Sequence, residues 1–143
     1  MKRDPRSGPM NRILVDTNIL ISAIVVDRNE LDVILRGIKK GDTIHISEHV
    51  TEEATRVILK KFPDFFELYE NFLKTAEIKI IPKSEYISEI NKIKGIRDRY
   101  DAHIIACAEK ARCNLIVTGD KDLLTFENTD IQIITSKEYL SKI

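Results

Sequence analysis

The sequence predicts an α/β domain, a three-layer sandwich in which a mostly parallel sheet of about five strands lies between helices. Three observations predict it. Runs of strand length, rich in β-branched residues, recur along the chain: Ile13-Leu14-Val15, Ile44-His45-Ile46, Ile78-Lys79-Ile80-Ile81, Leu115-Ile116-Val117 and Ile131-Gln132-Ile133-Ile134. Amphipathic segments of helix length separate them, as crossovers between parallel strands require. The chain has 143 residues, enough for one buried core and short for two domains.

Taken in order, residues 1–10 are basic and carry Pro and Gly, so a flexible N-terminal arm is expected there, with a single domain over 11–143. The first strand leads to a helix expected over Ile19–Val26. The next helix, Glu30–Lys40, ends in two lysines, and Gly41 is placed to close it. Caps are expected from Ser47 for a helix over Glu48–Lys60, from Asp64 for Asp64–Thr75, from Ser84 for Ser84–Lys94 and from Ser136 for Lys137–Ser141. A helix over Asp101–Arg112 follows from the stripe Ile104, Ile105, Ala108 and Ala111.

Composition narrows the function. Lys plus Arg and Asp plus Glu both number 23, so the net charge is zero. That excludes nucleic-acid binding by bulk positive charge, but not an enzyme that sets a few cations beside an acidic centre. The longest apolar stretch, Ile13 to Val26, is interrupted by Asp16, Thr17, Asn18 and Ser22 and is too short to span a bilayer. With no secretory apolar core near the start, a cytoplasmic location without membrane contact is expected. Cys107 and Cys113 lack a CxxC spacing and read as reduced thiols, and His103, Cys107 and Cys113 fall short of a four-ligand zinc site.

In parallel sheets the ligand site lies outside the carboxyl ends of the strands. Asp16 follows the first strand, and Thr118-Gly119-Asp120-Lys121-Asp122 follows the fourth. On the helix after Ser47, roughly 100° per residue puts Glu53 beside Val50 and Val57, at the border of the apolar stripe, while Glu52 points to solvent. Asp101 falls on the same face as Ile104 and Ile105; Asp98 precedes it by a turn. Asp16, Glu53, Asp101 and Asp120 can thus converge. Clustered carboxylates repel unless a divalent cation compensates them, and all-oxygen ligation suits Mg²⁺ or Mn²⁺. Such a centre suits phosphodiester cleavage. Relief of that repulsion predicts an Asp16→Asn variant at least as stable as the wild type without metal. Lys94, Arg97 and Arg99 crowd the loop before Asp101, and Lys121 follows Asp120; these are candidates for contact with substrate phosphates. Phe62, Phe65, Phe66, Tyr69 and Phe72 recur at helical spacing and read as core or dimer surface.

On these residues the chain resembles the PIN-domain nuclease superfamily, and within it small stand-alone prokaryotic proteins of the VapC toxin type. Leu14–Ala23 looks like the opening strand and acid, Ser47–Leu59 like the serine-then-glutamate helix, Asp98–Ala106 like the third motif and Ile116–Leu124 like the fourth. The resemblance implies a PIN-like fold and a Mg²⁺- or Mn²⁺-dependent endoribonuclease. Asp16, Glu53, Asp101 and Asp120 would be its catalytic and metal-binding acids, supported by Asn18, Ser22, Thr118, Asp98 and Asp122. It further implies RNA as substrate, cleavage that leaves a 5′-phosphate, a homodimer, and a role as toxin with a small antitoxin partner. The alternative is a catalytically silent RNA-binding or scaffold PIN protein, against which the intact acids speak. A phosphotransfer domain fits less well, because Asp16-Thr17-Asn18 lacks a second acid.

Overall fold

The computed structural model describes residues 10–25 and 28–142, without the side chains of Arg28 and Asn29. Of the expected N-terminal arm, residues 1–9 lie outside the described residues, and so does Val26. All five expected strands form: β1 (Arg12–Val15), β2 (Thr43–Ser47), β3 (Ile78–Ile81), β4 (Leu115–Val117) and β5 (Gln132–Ile134). They make one parallel sheet in the order β3-β2-β1-β4-β5. The central pair is β1 and β4, with Ile13 opposite Leu115 and Val15 opposite Val117. Every residue of these two strands except Arg12 is buried, as strands covered on both faces must be.

The chain steps outward from β1 to β2 and β3 through α1 (Thr17–Val25), α2 (Arg28–Lys40), α3 (Glu48–Lys61) and α4 (Phe66–Thr75). It then crosses back to β4 through α5 (Lys83–Tyr86) and α6 (Arg99–Lys110), and on to β5 through α7 (Lys121–Leu124). Right-handed crossovers place these two sets on opposite faces of the sheet. The packing agrees: α1 lies against α2 and α3, α6 against α5 and the turn after it, and the last helix, α8 (Ser136–Lys142), closes on α2. The reversal of direction falls between β1 and β4, where open α/β sheets bind ligands.

Ser47 caps α3 as expected, accepting from the Val50 amide at 3.0 Å. Gly41 closes α2 at φ +108°, its amide donating to the Gly37 carbonyl at 3.2 Å. Other boundaries differ, each for a physical reason. Asp64 does not cap: Pro63 lacks an amide proton and opens a 3₁₀ turn over Pro63–Phe65 before α4 begins. Ser84 does not cap either. Glu48 accepts the Lys83 amide at 2.7 Å and starts α5 one residue earlier; after four residues the segment tightens into a 3₁₀ turn over Ile87–Lys92. The last helix is capped by Thr135 instead of Ser136: the Glu138 amide donates to the Thr135 hydroxyl at 3.1 Å, and Glu138 reaches back to the Thr135 amide. On α6 the expected stripe proves to be a whole circumference, with Asp101 through Ala108 all buried.

Candidate active site

Asp16 leaves β1 buried, and its amide donates to the Val117 carbonyl at 3.2 Å, tying the ends of β1 and β4 together. Its carboxylate accepts three hydrogen bonds. Oδ1 accepts from the Thr17 amide at 2.6 Å and from the Tyr100 hydroxyl at 2.5 Å, and Oδ2 accepts from the Thr118 hydroxyl at 2.7 Å. The Thr17 and Tyr100 hydroxyls also bond to each other. Thr118 in turn accepts from the Asp120 amide at 3.0 Å, so one threonine relays between the two strand-end acids.

Asp120 caps α7, a helix not anticipated from sequence, by accepting the Asp122 amide at 2.8 Å. That turn brings Asp122 back toward the site. Asp98 is the cap of α6, accepting the Tyr100 amide at 2.9 Å, so α6 starts at Arg99 and Asp101 sits inside its first turn. Asp101 is only 1% exposed, and its Oδ1 has no hydrogen-bond partner. One carboxylate oxygen from each of Asp101, Asp120 and Asp122 lies within 4.8 Å of the others. Burial, together with Asp120, Asp98, Asp16 and Asp122, pushes the Asp101 carboxyl up to about 7.

An unpartnered buried oxygen beside two further carboxylates is a costly arrangement unless a cation completes it. The donor set is all oxygen, which fits a hard divalent ion. Among the described residues this is the one such group of three; His103, Cys107 and Cys113 do not gather into a second. His103 stacks on His49 at 4.1 Å between ring centres, and both cysteines are free and buried.

The other expected residues divide. Glu53 is half-buried and faces Asp16 and Asp98; burial raises its carboxyl, those two acids add to the effect, and Arg56 opposes it. Glu52 points to solvent and pairs with Lys83, which lowers its carboxyl. Asp16 and Glu53 both stand outside the tight group, Asp16 adding its charge to Asp101, whereas Asp122, expected only in support, is inside it. Thr118 stands between Asp16 and Asp120. Asn18 is exposed and Ser22 half-buried, and neither side chain hydrogen-bonds among the described residues. Lys94, Arg97, Arg99 and Lys121 are exposed and form no ion pair there.

Sequence reasoning passed over Tyr100 and Thr17. Nothing local marks a tyrosine before a buried acid as a partner of Asp16, 84 residues away. Only the packing of α6 beside β1 brings them together. Burial and the neighbouring Asp16 carboxylate push the Tyr100 hydroxyl well above its ordinary range, so it stays a proton donor.

A family model described as the PIN domain matches residues 13–131. The chain belongs to the PIN domain family. Solved structures share the PIN fold along nearly their whole length. VapBC2 from Rickettsia felis, bound to a DNA fragment from its promoter, aligns at TM-score 0.63 and 19% identity over 86% of this chain and 97% of that one. FitAcB from Neisseria gonorrhoeae aligns at 0.62 and 16% over 87% and 98%. A toxin–antitoxin complex from Klebsiella pneumoniae aligns at 0.59 and 19% over 85% and 99%. At these identities the likeness is one of fold. A comparison with the curated proteins finds no match.

Proposed function

We propose that this PIN domain is a Mg²⁺- or Mn²⁺-dependent endoribonuclease that hydrolyses RNA phosphodiester bonds, and that it serves as the toxin of a toxin–antitoxin pair. The observation that carries the reading is the meeting of Asp101, Asp120 and Asp122 at the sheet's switch point, with a buried oxygen of Asp101 left unpartnered. These three would hold the ion. Asp16, pinned by Tyr100 and Thr118, adds negative charge beside them and fixes the geometry of the strand ends. Glu53 would accept a proton from the attacking water, a role supported by its partial burial, its raised pKa and its lack of a hydrogen-bond partner among the described residues. A bound divalent cation lowers the pKa of water and stabilises charge on the phosphoryl oxygens. Lys94, Arg97, Arg99 and Lys121 are free to contact RNA phosphates.

The toxin role is supported by the toxin–antitoxin complex from Klebsiella pneumoniae that shares the fold. We extend it to a small antitoxin partner, a homodimer and a cytoplasmic setting; no helix among the described residues is long and apolar enough to cross a membrane. The test is cleavage of end-labelled RNA by the purified full-length chain in chelator, Mg²⁺ and Mn²⁺. Cleavage is expected only with metal, leaving 5′-phosphates, and only with Asp101 and Asp120 intact. Cleavage that survives Asp120→Asn, or metal that makes no difference, overturns the reading. For the biological role, expression of wild type but not of Asp120→Asn is expected to arrest growth.

A further inference from the structure

Beside the acidic group lies a cavity of about 440 Å³, within the ~300–1,000 Å³ range of ligand pockets. Asp101 and Asp122 form one part of its wall; Gly95, Arg97 and Phe126 form another. The loop that carries Gly95 is fastened to the segment after α7: the Asn128 side-chain amide donates to the Lys94 carbonyl at 3.2 Å, and Gly95, at φ +83°, lets the backbone turn beside the Phe126 ring. A second cavity of about 220 Å³ adjoins the first, lined by Ile90 and Ile93 and sharing Ile96, Arg97 and Asp98 with it. Arg97 therefore stands on the wall common to both. It has no hydrogen bond or ion pair among the described residues, although carboxylates lie nearby.

We infer that the two cavities take successive nucleotides of an unpaired RNA strand, with a base on the Phe126 ring and the phosphate between the two nucleotides on Arg97. The inference rests on the nuclease reading and deepens it. A nucleotide chain alternates flat, largely apolar bases with single negative charges. The walls alternate in the same way: Phe126, then the Arg97 cation, then Ile90 and Ile93. The first cavity shares Asp101 and Asp122 with the acidic group, so a phosphodiester drawn to the cation those acids would hold has its flanking base beside Phe126. Bases in a duplex are stacked and paired and do not enter such a pocket without unpairing; an unpaired strand enters directly.

The experiment measures fluorescence anisotropy of a labelled ten-nucleotide single-stranded RNA with the full chain. Calcium replaces magnesium, so that binding is read apart from cleavage. Phe126→Leu keeps apolar packing but loses the ring, and is expected to weaken binding by about fivefold or more; Phe126→Tyr restores it. Arg97→Gln is expected to weaken binding and to lower the slope of log affinity against log salt by about one. The same sequence as a duplex is expected to bind at least about tenfold more weakly than the single strand. Melting curves check that each variant is folded. If Phe126→Leu and Arg97→Gln bind like the wild type, the subsite is overturned while metal-dependent cleavage stands. If the single strand binds through Phe126 and Arg97 but is not cut in Mg²⁺ or Mn²⁺, the subsite stands and the nuclease reading falls.

Discussion

Two buried aspartates at opposite ends of the sheet meet opposite fates. Asp42 precedes β2 at the amino end and is surrounded by donors: the Asn11 amide at 2.8 Å, the Asn11 side chain at 3.3 Å and the Tyr139 hydroxyl at 2.6 Å, with Lys40 at 3.9 Å. Asp101, at the carboxyl end, has an oxygen without a donor and four acids around it. The first carboxylate is solved by the fold itself and holds the β1 entry, β2 and α8 together. The second is left unsolved, which is what a ligand site requires. Burial alone therefore separates nothing; the sign and number of a buried acid's neighbours do.

The largest expected effect comes from exchanging the two. Asp101→Asn is expected to lower metal-dependent cleavage by about a thousandfold or more, since it removes one of the three carboxylates that would hold the ion. Asp42→Asn should leave cleavage per folded molecule unchanged but destabilise the protein by about 1–3 kcal/mol, because an amide cannot accept from all those donors. Stability in chelator separates them further. The folded Asp101 titrates at about 7, above its ordinary value. Between about pH 4 and 7 the folded protein keeps a proton that the unfolded chain has released, so this group's contribution to stability falls as pH rises through that window. The buried imidazole of His103, pushed down to about 4, slopes the other way. The difference between Asp101→Asn and wild type is therefore the quantity to measure by denaturant melts. It should grow in favour of the variant from pH 4 to 7.5, reaching roughly 1–3 kcal/mol. A flat difference would falsify the claim that Asp101 is electrostatically frustrated.

Asp16 sharpens the comparison because it shares features with both. It sits at the acidic end but is bonded like Asp42. Charge relief, read from sequence, predicts a stable Asp16→Asn; the three donors on its carboxylate predict the reverse. Asp16→Asn is expected to lose cleavage by about a hundredfold or more and also to lose about 1–2 kcal/mol in chelator, since its amide nitrogen faces a hydroxyl or amide donor. A melting point equal to or above that of the wild type would show that repulsion outweighs those hydrogen bonds.

The same contrast explains what was legible in the sequence. The strands were readable because apolar runs such as Leu115-Ile116-Val117 have little to do except pair and bury. Asp16 and Asp120 were readable because topology puts strand ends at the ligand side. Helix starts were less so: Glu48 reaching Lys83 across 35 residues, not Ser84, begins α5. Asp122 joined the tight group through a four-residue helix too short to leave a periodic pattern. The Glu53 assignment rests on helix phase; on α3 Glu53 is half-buried and feels the Asp16 charge, while Glu52 is exposed and pairs with Lys83. Glu53→Gln is accordingly expected to cost about tenfold to a hundredfold in cleavage, and Glu52→Gln less than about twofold. Equal losses in the two rate constants would mean that the phase of α3 is not what separates Glu53 from Glu52.

A smaller effect than the loss of a site acid tests how a well-bonded acid serves one that lacks a donor. Tyr100 follows the α6 cap and precedes Asp101 by one residue, while its hydroxyl reaches Asp16 at 2.5 Å. One residue thus couples the helix that carries Asp101 to the strand that ends in Asp16. The hydroxyl stays protonated because burial and Asp16 both oppose its ionisation, so its one proton is available to donate to Asp16. Tyr100→Phe keeps the ring beside His49 and removes that donation. Asp16 then retains the Thr17 amide and the Thr118 hydroxyl, enough to stay folded but with one oxygen less firmly held. Orienting partners of metal sites typically contribute about tenfold to a hundredfold in metal affinity. Calorimetric titration of Tyr100→Phe with Mn²⁺ is therefore expected to show affinity about tenfold weaker than wild type, with cleavage recovering at saturating metal. If cleavage instead stays low at saturating Mn²⁺ while affinity is unchanged, Tyr100 acts on the reacting groups and not through the placement of Asp16.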